Sequence, residues 1–246
     1  MKNLLFTSVF FNSKYLDLLD LLLESLSRWG SFEGDVMVMT QSNFVTHIES
    51  LFQKHNIKGG GTFLLDVSSM FEASAARLSI FEYDRIHDYE KVLYLDADVL
   101  VTNNLSQLFD WPLEKKLYAL EEDFTTSIYH GTYLFDHHGV QENKTAFCAG
   151  VLMFPVCEEI KSLFSNIKTH IREYTGPELQ CLEQPFIIFN SFKYNMYDNA
   201  FFTGKVINNP QRHSGECVSH FCGGPGDSTS KKAKMERMLR QLTSYN

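Results

Sequence analysis

A strand covered on both faces of a sheet reads as an unbroken apolar run rather than an alternating one. This chain opens with such a run, LLFTSVFF at 4–11. A leucine-rich segment with acids at helical spacing follows, KYLDLLDLLLESLSRW at 14–29. Gly30 closes it, as glycine commonly closes a helix. The alternation continues: DVMVMT (35–40) reads as a strand and NFVTHIESLFQKHN (43–56) as an amphipathic helix. GGGTFLLDV (59–67) gives a glycine turn and a strand, residues 73–86 a helix, and KVLYL (91–95) the next strand. Such β-α-β-α order predicts a parallel sheet with helices on both faces. Ligands of such sheets bind beyond the carboxyl ends of the strands.

The second half is less regular. LYALEE (117–122) reads as a strand, and residues 123–146 as a long polar and aromatic excursion. FCAGVLMF (147–154) returns to strand character, and 157–174 and 178–192 read as helices. CVSHF (217–221) is a late strand and GGPGDSTS (223–230) a glycine-rich loop. KKAKMERMLRQL (231–242) is a closing helix whose basic residues form one wet face. There is no internal repeat and no convincing linker, so 1–246 is read as one domain.

The charge balance narrows the partners. Lys plus Arg is 22 and Asp plus Glu is 30, a net charge of −8. That disfavours general nucleic-acid or anionic-membrane binding. No apolar stretch approaches the length of a membrane span. MKNLLFTSVFF is followed by Asn12, Ser13 and Lys14 rather than a small-residue cleavage site, and is read as a strand, not a signal peptide. The five cysteines, oddly numbered and irregularly spaced, fit reduced thiols. These features give a cytoplasmic expectation. A zinc site from His213, Cys217, His220 and Cys222 matches no standard spacing. Asn143-Lys144-Thr145 is read as an accidental glycosylation sequon.

The functional clue is KVLYLDADVLV (91–101), where two carboxylates interrupt an apolar run. On an extended chain, residues two apart face the same side. Asp96 and Asp98 would then converge, and like charges that close call for a cation. Carboxylate oxygens suit Mn²⁺ or Mg²⁺, metals that usually bridge carboxylates and a substrate diphosphate.

With its neighbours, YLDADVLVTNNLSQLF resembles the DxD segment of the glycogenin-like retaining glycosyltransferases, glycosyltransferase family 8. The resemblance rests on several blocks in order along most of the chain. It implies an α/β fold of the GT-A type, a Rossmann-like mixed sheet flanked by helices. The nucleotide-binding half would cover about 1–122 and the acceptor and metal-completing half about 123–246. In TSVFFNSKY (7–15), Asn12 and Tyr15 match uridine contacts, Tyr15 by stacking. In ARLSIFEY (76–83), Arg77 matches a basic residue reaching the donor phosphates and sugar. The resemblance gives Asp96 the ribose and metal and Asp98 the metal, with Ala97 in the same nucleotide contact.

FCAGVLMF departs from the family pattern: Cys148 stands where an asparagine contacts the donor sugar. Ala149 and Gly150 match, small enough for backbone to approach a sugar. In LEQPFIIFN (182–190), Glu183 replaces the usual aspartate and Gln184 matches, near the anomeric carbon. In SHFCGGPGDSTSKKAKM (219–235), His220 is implied as the third metal ligand. Gly223 and Gly224 would offer backbone amides to the diphosphate. Lys231 or Lys232 would neutralise the β-phosphate, at a spacing longer than the family's and without its Pro-Trp.

The resulting expectation is a metal-dependent transferase moving a hexose from a UDP-sugar to an unidentified acceptor, with retention. Glu183, Gln184 and Arg77 are its catalytic candidates, and a homodimer is an open option. The alternatives are a non-catalytic sugar-nucleotide binding module, suggested by Cys148 and Glu183, and an NDP-sugar nucleotidyltransferase. The latter usually carries a basic glycine-rich N-terminal loop where this chain has FFNSKY. Acceptor walls are expected around 123–146 and 193–216. His137 and His138 with Asp136 are read as part of a solvated loop rather than a second metal site.

Overall fold

The computed structural model describes residues 2–139, 143–223 and 228–244, the last segment without the side chains of its first two residues. The strands are β1 (Lys2–Val9), β2 (Asp35–Thr40), β3 (Gly60–Leu64), β4 (Tyr89–Leu95), β5 (Val99–Val101), β6 (Leu117–Phe124), β7 (Thr145–Pro155), β8 (Tyr197–Asp198), β9 (Val206–Asn208) and β10 (Val218–His220). The helices are α1 (Lys14–Trp29), α2 (Val45–Lys54), α3 (Met70–Ala75), α4 (Ser106–Phe109), α5 (Thr132–His137), α6 (Glu158–Glu173), α7 (Gln184–Lys193) and α8 (Ser228–Ser244).

A seven-stranded sheet runs in the order β3-β2-β1-β4-β7-β6-β8. β3, β2, β1 and β4 are parallel, as the sequence order predicts. β7 then enters antiparallel to β4, and β6 antiparallel to β7, so the sheet is mixed. One apolar layer packs α1, α2 and α8 against one face of the sheet; the other packs α6, α7 and the segment around residues 73–86 against the opposite face. Phe154, Phe164 and Phe186 are among the large side chains fully buried there.

Several element boundaries differ from expectation for local reasons. β1 ends at Val9, because Phe11 takes a left-handed conformation (φ 56°) as the chain turns into α1. The helix expected over 73–86 starts instead at Met70, where Ser69 Oγ accepts from Glu72 N and the Glu72 carboxylate accepts from Ser68 N. That is a reciprocal cap. It continues as a tight 3₁₀ stretch, Ala76–Glu82, that turns Arg77 inward. The helix expected from 178 starts at Gln184, because Cys181 and Leu182 are left-handed (φ 62° and 55°).

A second sheet of three strands, β5-β10-β9, stands beside the carboxyl end of β4. β10 pairs antiparallel with β5, placing His220 opposite Val99, and parallel with β9, placing His220 opposite Asn208. The loop entering β10 is pinned by Glu216, which is 4% exposed. Its carboxylate accepts from Ser214 N at 2.8 Å, Ser214 Oγ at 2.9 Å and Ser219 Oγ at 2.9 Å. Burial pushes this carboxyl up, but the backbone and serine hydrogen bonds outweigh it and hold it below its ordinary value. A depressed folded-state pKa contributes stability above the unfolded value that is lost as pH falls through the folded one. Glu216→Gln is therefore expected to lose roughly 1–3 kcal/mol at pH 7. The gap from the unaltered protein should close between about pH 5 and 3 in denaturant titrations.

Candidate active site

The main cavity, about 1020 Å³, opens beyond the carboxyl ends of β1 and β4. It is where the parallel half of the sheet meets the antiparallel half. Asp96 and Asp98 lie on its floor, but not along an extended strand. They flank a turn between β4 and β5, and convergence comes from that turn rather than from strand pleating. Asp96 N donates to Gly150 O at 2.8 Å and Phe221 N to Asp98 O at 2.9 Å, so β7 and β10 both grip the turn.

The carboxylates meet His220. Ligand atoms of Asp96, Asp98 and His220 all fall within 4.8 Å of one another. Among the described residues, no other group of three or more His, Cys, Asp or Glu side chains converges this closely. His220 Nε2 is 3.4 Å from Asp98 Oδ1 and 3.9 Å from Asp96 Oδ2. On the ring's far side, Asn208 Oδ1 is 3.0 Å from His220 Nδ1. Asn208 Nδ2 donates to Glu122 Oε1 at 2.7 Å. The carboxylate accepts only, so the amide oxygen faces His220, Nδ1 carries a proton, and Nε2 is the atom directed at the aspartates. Burial pushes the Glu122 carboxyl up, but hydrogen bonds from His130 and Asn208 and the nearby imidazoles bring it below its ordinary value.

Three observations make this a fitting seat for a divalent cation. The donor set is two carboxylates and an imidazole, which suits Mn²⁺ and related metals. Asp98 Oδ1 is buried and makes no hydrogen bond. Gly150 lets two of the three side chains come together: a Cβ there would stand 2.3 Å from His220 Cε1, 2.7 Å from Nε2 and 2.9 Å from Asp96 Oδ2. The expected role of Gly150, close approach to a sugar, is thus accompanied by another: room for the His220 ring and the Asp96 carboxylate.

Lys231 is the counter-charge at the cluster. It is 6% exposed and donates to Asp98 Oδ2 at 2.6 Å and Gly223 O at 2.9 Å. Burial opposes the charge of Lys231, and Asp98 and Asp96 more than offset it, raising its pKa. Burial likewise pushes Asp98 up, but His220 and Lys231 hold it well below the ordinary carboxylate range. Lys232 instead pairs on the surface with Asp17 at 3.1 Å. Gly223 lines the cavity; Gly224 lies outside the described residues.

Arg77 is the second buried cation. Its guanidinium lies 4.3 Å over the Tyr94 ring, 3.2 Å from Asp96 Oδ1 and 3.0 Å from Glu183 Oε1. It donates to Ala149 O as well. Burial works against its charge, but Asp96, Tyr94 and Glu183 hold the group fully protonated. Tyr94 OH hydrogen-bonds Asp96 in turn. Glu183 is 3% exposed at the start of α7. Gln184 Oε1 accepts from Ala149 N at 2.9 Å, and its Nε2 donates to Tyr129 O at 3.2 Å, so its amide braces two backbone segments.

Tyr15, half-buried, lines the cavity with Ala97, Cys148 and Ala149. Burial raises its phenol above the ordinary value. Asn12 is not among the lining residues; its Oδ1 accepts from Lys14 N where α1 begins. The sequence reading missed Glu122, Asn208 and the lining loop 178–182, which no local pattern marks, while Asp123, Tyr129 and His130 line the cavity from the 123–146 segment. Of 193–216, only Asn209 lines the cavity. The His213-Cys217-His220-Cys222 set does not assemble: Cys217 is in the core and His213 faces Glu216 at 3.4 Å. His137 and His138 stack near Tyr133 and Phe189. Among the described residues, no helix is long and apolar enough to cross a membrane.

Among solved structures, the bifunctional glycosyltransferase WbbM is similar with a TM-score of 0.66 at 16% identity; the match covers 98% of this chain and 52% of WbbM. This chain therefore spans about half of that protein. Mouse xyloside xylosyltransferase 1 is similar with a TM-score of 0.63 at 14% identity, covering 92% of this chain and 99% of that one. The galactosyltransferase LgtC, solved with donor and acceptor sugar analogues, gives 0.61 at 20% identity, covering 98% and 95%. These likenesses show the GT-A fold. No curated protein matches the chain in sequence. The family model of glycosyl transferase family 8 matches residues 42–224, a span holding both aspartates, Arg77, Glu183 and His220. On that match, the chain belongs to glycosyl transferase family 8.

Proposed function

We propose that the protein transfers a hexose from a UDP-sugar to an acceptor, in a reaction that depends on Mn²⁺ or Mg²⁺ and retains the anomeric configuration. The observation that carries this reading is the convergence of Asp96, Asp98 and His220 in a chain of this family. A divalent cation held by these three residues would supply Lewis acidity to the departing diphosphate. Tyr15 stacks on the uracil, and Lys231 with Gly223 brings fixed positive charge and backbone to the diphosphate end. Ala149 and Gly150 let the donor sugar lie against β7. Asn208 and Glu122 hold His220 in the tautomer whose Nε2 can ligate.

Arg77 decides how Glu183 takes part. The Glu183 carboxylate is buried against a guanidinium that it shares with Asp96. An ion-paired carboxylate is a weakened nucleophile, which favours attack by the acceptor on the sugar face that the diphosphate leaves. Glu183 then acts by orienting Arg77, and Gln184 by bracing the Ala149 backbone. Cys148 sustains the rival reading, a sugar-nucleotide binding module, since it replaces the sugar-contacting asparagine.

UDP release from a panel of UDP-hexoses with Mn²⁺ separates the two. The unaltered protein should release UDP, and Asp98→Ala should lose about a hundredfold or more. Equal release from both would sink the metal assignment, and UDP binding without release from any donor would establish the binding module. A second expectation concerns Lys231. Removing one partner of a buried ion pair costs roughly 3–5 kcal/mol. Lys231→Met should lose that much in thermal or denaturant unfolding with chelator present. Mn²⁺ should recover more stability in this variant than in the unaltered protein, because it supplies Asp98 with the missing charge.

A further inference from the structure

The cavity extends past the metal cluster to a wall made of two segments. Residues 122–130 leave β6 and residues 178–184 lead into α7. They are fastened together by Gln184 Nε2, which donates to Tyr129 O at 3.2 Å. Gly131 (φ 96°) turns tightly against Pro185, where a Cβ would come within 3.2 Å of the proline ring.

The wall carries four carboxylates: Glu122, Asp123, Glu178 and Glu183. Among the described residues lining the cavity, Arg77 and Lys231 supply the fixed positive charge, and both are buried and engaged. Arg77 is paired with Asp96 and Glu183, and Lys231 with Asp98. An acceptor bearing a carboxylate, sulfate or phosphate would meet like charge with no cation to answer it. Glu183 has Arg77, while Glu122 and Asp123 flank His130 at 3.4 Å and 3.8 Å. Three of the four acids therefore already face a basic group, and the wall calls for hydroxyl donors more than for another cation. His130 is only 4% exposed, yet its Nδ1 makes no hydrogen bond. Tyr129, half exposed, presents an aromatic face in the same wall.

We propose that this wall is the acceptor site and that the acceptor is an uncharged saccharide. Its hydroxyls donate to the wall carboxylates and pair with His130, and its ring stacks on Tyr129. The transferred sugar leaves UDP for an acceptor hydroxyl, whose proton departs with the UDP. This inference rests on the UDP-sugar reading above.

The test is transfer from UDP-hexoses with Mn²⁺ to a glycan array with neutral, carboxylated, phosphorylated and amino-sugar termini, with UDP release followed in parallel. Neutral members should be modified, and their anionic counterparts at least about tenfold more slowly. Glu178, exposed in the 178–184 segment, tests the cause: Glu178→Lys should narrow the neutral-to-anionic ratio by about tenfold. Comparable or faster transfer to anionic members, or faster transfer to amino-sugar members, overturns the proposal, as does an unchanged ratio in Glu178→Lys. UDP release without transfer to any member overturns it while leaving the donor reading intact. Absence of UDP release from every donor brings down the donor reading, and this one with it.

Discussion

Asp98 is a carboxylate at 6% exposure, and much of the site is explained by what that burial requires. A lone charge out of water is costly enough that it must be paired and hydrogen-bonded or become neutral. Lys231 reaches it from α8 and His220 from β10, two elements more than a hundred residues away in sequence. Their combined field keeps Asp98 ionised. One oxygen is satisfied by Lys231 and the other makes no hydrogen bond. A carboxylate held charged with an oxygen to spare is arranged for a ligand rather than for stability alone.

The surrounding architecture supplies the precision. The register of β10 on β5 sets His220 opposite Val99, one residue past Asp98. The pairing of β10 with β9 sets Asn208 behind His220. Gly150 on β7 leaves the gap through which the ring reaches the aspartates. Arg77, turned inward by the 3₁₀ stretch after α3, ties Asp96 to Glu183 and so couples the metal end of the cavity to the start of α7. These contacts come from rigid strands and helix ends, which hold a constellation more closely than mobile loops do.

The first half of the fold was legible because local and global preferences agree there. α1 occupies the residues its leucine spacing marks, and β2 its apolar run. The antiparallel entry of β7 was legible only through the family resemblance, which implied a mixed sheet, since strand direction is settled by packing and not by composition. The helix expected over 73–86 became α3 and a 3₁₀ stretch because Ser69 and Glu72 cap it early, a signal present in the sequence but outweighed by periodicity. At the site, the DxD turn stood out because two carboxylates interrupt an apolar run, whereas His220 was implied as a ligand by the family resemblance. Glu122 and Asn208 did not stand out, because polar residues in polar segments carry no such contrast. Asn12 matched a pattern, and its Oδ1 also accepts from Lys14 N where α1 begins.

The central claim is that Asp96, Asp98 and His220 form one cation seat facing a nucleoside diphosphate. Crystals grown with Mn²⁺ and UDP, with diffraction recorded at the manganese absorption edge, test it most directly. The account predicts an anomalous peak bonded to both aspartates and to His220 Nε2, bridging to the UDP phosphates with Lys231 close by. A peak elsewhere, or UDP bound in the cavity with no manganese between these three side chains, would contradict it.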